Sequence, residues 1–208
     1  MRIEQHVIKS FDDFLQNEFD AALLHACIAL DGTAQKYVKK VDAGREDYVK
    51  LIRDYYWIIE PMIGAGLNLE ETKFRRLTIM KSNKPITDPD FADVVYNIFR
   101  CSHAHGKEIP AGYGFLPVED GKSYWQFGDN IFYMPTRAIW ALLAISIFAK
   151  TNKNIKTNTN HFLTWGSQTL GIGEYKFHLK DYWGEEDKIR NFFSKQNLIR
   201  VKLEFPKK

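Results

Sequence analysis

The chain has 208 residues, 45% of them apolar and 14% aromatic, and a formal charge of +3. That length suits one domain, or one domain with an appendage, and the apolar fraction excludes a disordered chain. The small charge excludes an overtly basic nucleic-acid binder while leaving room for a local basic surface, and two cysteines, Cys27 and Cys101, exclude a disulfide framework.

The N-terminus lacks the apolar run of a signal peptide, so a reduced cytoplasmic protein is expected. Ser10 reads as an N-cap, with Asp12 and Asp13 in the first turn. From it Phe14, Leu15, Phe19, Ala22, Leu23, Ala26, Leu30 and Ala34 recur at three- and four-residue steps and predict one long helix over 10–39, locally weakened by Gly32. A second helix is expected over 45–60, stopped by Pro61 and the glycines at 64 and 66. Glu70–Met80 is a candidate helix.

Asp88-Pro89-Asp90 reads as a helix start, with a capping acid and proline at the first position, leading a helix over 89–105 that Gly106 closes. Gly114–Val118 and Tyr124–Phe127 then predict a hairpin around Glu119-Asp120-Gly121, with Asn130–Met134 as a further strand. Ala138–Ala149 is apolar except for Ser146. It is shorter than the about 20 residues a bilayer requires, so a buried core helix over 136–150 is expected and no membrane partner. Thr151–Asn160 is a polar linker and the best candidate boundary. Beyond it Tyr175, Phe177 and Leu179 alternate with polar residues, Glu185–Lys195 predicts a short helix, and 199–205 alternates strictly as a strand.

The chemistry concentrates at Phe99-Arg100-Cys101-Ser102-His103-Ala104-His105-Gly106. Arginine is a permanent cation whose planar donors fit phosphate oxygens, and histidine moves protons near neutral pH. For RNA cleavage, His105 suits the base that takes the ribose 2′-hydroxyl proton, and Arg100 suits the phosphate contact. No metal or other cofactor is then required. Five residues on an ideal helix turn through about 140°, so the two side chains do not share a face unless the helix end loosens or a second subunit completes the site. In the competing reading, Arg100 pairs with a nearby acid and His105 meets the helix C-terminus, where positive charge is favoured in any protein.

Ala26-Cys27-Ile28-Ala29-Leu30-Asp31, then Arg45 with Tyr48-Val49-Lys50-Leu51-Ile52, then Val95–Cys101 with His105, resemble in that order a bacterial branch of the HEPN superfamily. The resemblance spans residues 10 to 118. It implies an antiparallel helical bundle that dimerises with the arginine and histidine of both subunits meeting in a cleft. Many members are metal-independent endoribonucleases of toxin–antitoxin or phage-defence systems, while others only bind RNA or nucleotide. An antitoxin protein is then a candidate partner. Members often carry a polar residue directly after the arginine; here that residue is Cys101.

Four more residues are candidate supports. His103, three residues from Arg100, is the second choice of base. His103 and His105 also admit a metal-ligand reading, although alternate residues share a face on a strand rather than a helix. Cys101 admits a nucleophile reading, against the commoner fate of a small packed residue. Asp31 interrupts an apolar helix face and suits a partner for Arg45, Arg100 or a tyrosine, against the reading of a simple solvated helix acid, while Arg45 also reads as a surface cation. The aromatic residues Trp125, Phe127, Phe132 and Tyr133 are read as packing before base stacking. The expected architecture is mainly α: a HEPN-like helical domain over 1–155 with a hairpin near 114–134, and a small α+β extension over 156–208.

Overall fold

Where the periodicity predicts one helix over 10–39, the computed structural model has a helical hairpin, α1 (Ile3–Leu15) and α2 (Phe19–Val38). The structure describes residues 2–63, 66–80, 84–118, 123–167, 172–196, 198 and 200–203. Phe14 and Phe19 fit one continuous stripe, but Asn17 takes left-handed backbone with φ 63° and the chain folds back between them. Ser10 is therefore not a cap. It lies buried inside α1 and donates its hydroxyl to the Ala22 carbonyl of α2 at 2.6 Å. Gly32 is buried within α2 and does not interrupt it.

The second expected helix also divides, into α3 (Arg45–Asp54) and α4 (Tyr56–Ile63), and Pro61 does not stop it. Proline costs a helix interior one backbone hydrogen bond. Burial of Ile58, Ile59, Met62 and Ile63 offsets that, at roughly 1.5–3 kcal/mol for each large side chain. Gly64 lies outside the described residues, and Gly66 with Leu67 forms β1.

Residues 70–80 are not a helix. A turn leads to β2 (Thr78–Ile79), antiparallel to β3 (Ile86–Thr87). A tertiary bond takes a donor that a helix would use: the Phe74 N–H donates to the Pro89 carbonyl at 2.9 Å.

The helix over 89–105 forms, with its cap one turn-start later than expected. Asp90, not Asp88, accepts the Asp93 N–H at 3.0 Å, while Asp88 sits at φ 52° ahead of the helix. Within this helix α5 (Phe91–Val94) passes into a π-helical stretch over Val95–Arg100 and returns to α6 (Cys101–Ala104). The Asn97 side-chain amide donates to the Asp93 carbonyl at 2.6 Å, occupying the acceptor that the Asn97 backbone N–H takes in an α-helix. The ladder is thereby released to the longer i→i+5 spacing.

The expected hairpin partners are rearranged. β4 (Tyr113–Leu116) pairs in parallel with β6 (Ile131–Pro135), and β5 (Gln126–Gly128) pairs with β6 antiparallel, so β6 is central and the hairpin joins β5 to β6. Glu119-Asp120-Gly121 lies outside the described residues. Asn130, at φ 54°, makes the β5–β6 turn. Phe132 is fully buried, with the Phe74 ring at 4.9 Å and Trp125 at 5.9 Å, so these aromatics are packing residues.

α7 (Arg137–Phe148) is the buried central helix the sequence announces, apolar around its whole circumference and packed on α2 and α4. At its end Asn152 is buried and donates to the Thr33 hydroxyl at 3.0 Å and the Ser146 carbonyl at 2.7 Å. Beyond the linker, β7 (Phe162–Ser167), not anticipated, forms an antiparallel hairpin with β8 (Ile172–His178), followed by α8 (Leu179–Tyr182) and α9 (Glu186–Ser194). Of the strand expected over 199–205, Arg200–Val201 is β9, parallel to β1; Lys202 and Leu203 are irregular, and 199, 204 and 205 lie outside the described residues. Residues past 155 join the same hydrophobic cluster as the helices, through Leu163, Trp165, Phe177 and Ile189. Arg200 ties that end to the buried Glu60 of α4 at 2.7 Å. The architecture is mainly helical, and among the described residues no helix is long and apolar enough to cross a membrane.

Candidate functional site around Arg100

The three sequence blocks meet in space. α2 contributes Cys27 and Asp31, α3 contributes Arg45 and Tyr48, and the π-helical stretch with α6 contributes Tyr96, Arg100 and Cys101. Asp31 stands one helical turn past Cys27, so both face the same neighbours. Tyr96 and Arg100 share a face of their own helix for a related reason.

Arg100 donates to Asp31 Oδ2 through Nε at 3.3 Å and Nη2 at 3.2 Å, and its guanidinium lies 5.3 Å from the centre of the Tyr96 ring. The pair is three-quarters buried. Burial opposes the charge of Arg100, but Asp31 outweighs it and the guanidinium is held more firmly charged than usual. Burial raises the Asp31 carboxyl above its ordinary range in spite of Arg100. Beneath them Cys27 is fully enclosed, its thiol pushed up to about 12 by burial, which makes it an inert packing residue. The Tyr48 hydroxyl lies beside that thiol, and burial pushes it well above its usual value.

Arg45 is not a surface cation. It pairs with Asp93 of α5, and Arg53 bridges Asp90 at 2.9 Å and Asp93 at 3.0 Å, with Lys73 on Asp90 at 2.9 Å. Asp90 is buried, yet Arg53 and Lys73 hold its carboxyl below the usual range. Asp93 is raised by burial and by Asp90 beside it. This network clamps α3 to the start of the helix that carries Arg100. Of these acids only Asp90 is read from the sequence, within the helix start Asp88-Pro89-Asp90.

Arg100 and His105 are not brought together within one chain. Arg100 turns inward to α2, whereas His105 is the C-terminal cap of α6 and exposed, with no side-chain hydrogen bond among the described residues. His103 is half-buried, its Nε2 is enclosed without a hydrogen-bond partner among the described residues, and burial lowers its pKa. Cys101 is half-buried beside Arg100 and Tyr96. Among the described residues no group of three or more His, Cys, Asp or Glu is placed to hold a metal ion, and His103 and His105 occupy different surroundings. Tyr96 is the member that sequence reasoning passed over, although its position four residues before Arg100 placed it on the same helical face.

Comparison with known proteins gives relatives over the full length. The uncharacterized proteins Rv1289 and MT1327 of Mycobacterium tuberculosis and Mb1320 of Mycobacterium bovis are each 28% identical over 204 residues, covering 98% of this chain and 93% of theirs. No solved structure matches. A family model described as Rv1289 matches residues 2–208, and the chain belongs to that family.

Proposed function

We propose that this protein is a metal-independent endoribonuclease of the HEPN type, a helical bundle working as a homodimer in a toxin–antitoxin or phage-defence setting. The observation that carries the reading is the convergence on Arg100 of three sequence blocks separated by tens of residues, on three different helices. Asp31 occupies Nε and Nη2 of Arg100, which leaves Nη1 and its hydrogens for a phosphate oxygen. His105, exposed at the helix end, is free to meet the 2′-hydroxyl of RNA bound across two subunits. A two-fold axis near α6 repeats the same patch on both sides and supplies a second Arg100–His105 set.

In the reaction His105 takes the 2′-hydroxyl proton, the oxygen attacks phosphorus, and the 5′-oxygen leaves with a proton from a protonated imidazole or water. Arg100 stabilises the charge that gathers on the phosphate oxygens. The products are a 2′,3′-cyclic phosphate and a 5′-hydroxyl. The test is incubation of end-labelled RNA with purified protein in EDTA and analysis of the new termini by mass. Cyclic phosphate ends support the reading, and 3′-hydroxyl ends contradict it.

One observation favours a second reading, a non-catalytic module that binds RNA, nucleotide or a protein partner. Arg100 is already engaged by Asp31, and among the described residues no side chain orients His105 as a catalytic base is usually oriented. Tight binding of RNA with no cleavage across a broad panel of sequences selects it.

A further inference from the structure

Four of the five tryptophans line one cavity of about 1260 Å³, whose walls include none of Arg45, Arg53, Asp90 or Asp93. Trp57 comes from α4, Trp140 from α7, Trp165 from β7, and Trp125 from the segment before β5. Small-molecule sites are concave, mostly apolar, and hold a few polar groups that fix orientation; this volume exceeds the roughly 300–1,000 Å³ such sites usually offer. The walls are braced. The Trp165 indole donates to the Pro61 carbonyl at 3.0 Å, the Arg190 guanidinium covers Trp57 at 4.0 Å, and Trp140 packs on Phe14 at 4.0 Å.

The charges on the wall are unequal. Arg200 is paired with Glu60 at 2.7 Å and Glu70 at 3.1 Å, and Arg190 with Glu186 at 3.2 Å. Arg137 has no ion pair among the described residues. It opens the twelve-residue α7, whose first turn carries no acid and whose Thr136 side chain makes no capping bond, so the helix's positive end adds to the same corner. One cation without an ion pair among the described residues, on the wall of a cavity lined by four tryptophans, selects a ligand with a flat apolar body and a single negative group.

We propose that this cavity is a binding site for a small aromatic anion, its rings held among Trp57, Trp140 and Trp165 and its anionic group on Arg137. The site does not use Arg100 or His105 and stands whether or not the protein cleaves RNA. The test uses two dyes that share their rings and differ in charge: 1-anilinonaphthalene-8-sulfonate, and N-phenyl-1-naphthylamine, which lacks the sulfonate. The sulfonate dye binds the native protein at one site per chain and quenches tryptophan emission by energy transfer, because most of the indoles line the site. Arg137→Gln weakens the sulfonate dye about tenfold or more and leaves the neutral dye unchanged, the loss expected for one charge-assisted hydrogen bond. Trp140→Ala weakens both dyes, and Arg100→Ala weakens neither. Unfolding midpoints of each variant confirm that the native state is being titrated. Equal sulfonate affinity in wild type and Arg137→Gln, or the absence of saturable binding by either dye, overturns the proposal.

Discussion

The Arg100 cluster and the tryptophan cavity are built on opposite plans. Around Arg100 and Arg45 each buried charge is matched: Asp31 serves Arg100, Asp93 serves Arg45 and Arg53, and Asp90 serves Arg53 and Lys73. Around the cavity the walls are mostly apolar, and beside the paired Arg190 and Arg200 stands Arg137, without an ion pair among the described residues. The contrast teaches where stability and function are separable. At a matched centre, removing one partner leaves the other charge half-buried, so a functional change is also a structural one. At the cavity a charge can be removed with little effect on the fold.

The largest stability effect follows at Asp31. Asp31→Ala leaves Arg100 enclosed without a partner and lowers the unfolding free energy by about 3 kcal/mol. Urea denaturation measures it, and the double variant Asp31→Ala/Arg100→Met recovers most of the loss, because it removes both charges. A loss under 0.5 kcal/mol for Asp31→Ala erases the proposed contrast. Next is Ser10, whose buried hydroxyl holds α1 to α2. Ser10→Ala costs about 1 kcal/mol by the same assay, the net value of one hydrogen bond.

The pH dependence comes from partly buried histidines. His6 and His25 share a 3.0 Å Nδ1–Nδ1 contact, and burial lowers the pKa of both, in each case reinforced by a neighbouring positive group. His103 is lowered by burial as well. An unfolded histidine titrates near 6.5, so in mildly acidic solution the unfolded chain binds more protons than the folded one. Stability is therefore complete above that pH and falls as the pH drops through the lower folded values. Replacing His6 and His25 with asparagine flattens the slope of midpoint against pH between neutrality and about pH 5; an unchanged slope contradicts the assignment. The smallest effect is at the cavity. Arg137→Gln shifts stability by no more than about 0.5 kcal/mol, as for an ordinary surface substitution.

The candidate site was more legible than the fold around it. Apolar spacing placed the helix over 89–105 and the buried α7, and of the partners that the interrupted apolar face left open for Asp31, the structure has Arg100. The turn at Asn17 was hidden because Phe14 and Phe19 keep helical spacing on both sides of it. The π-helical stretch was hidden because it depends on where one amide, that of Asn97, finds its acceptor. The parallel pairing of β4 with β6 was unreadable from local signals, which favour the next segment in the chain as partner. The cavity gathers its tryptophans from distant segments, so no window of sequence contains it.

The central claim is that Arg100 and His105 divide one reaction between them. Wild type, Arg100→Ala, His105→Ala and His103→Ala are compared in one RNA cleavage assay in EDTA, with circular dichroism to confirm the fold. Removing a general base costs about 10²- to 10⁴-fold in rate. The account predicts that loss for His105→Ala with RNA affinity retained, loss of both rate and affinity for Arg100→Ala, and a milder effect for His103→Ala. Undiminished cleavage by folded His105→Ala contradicts it.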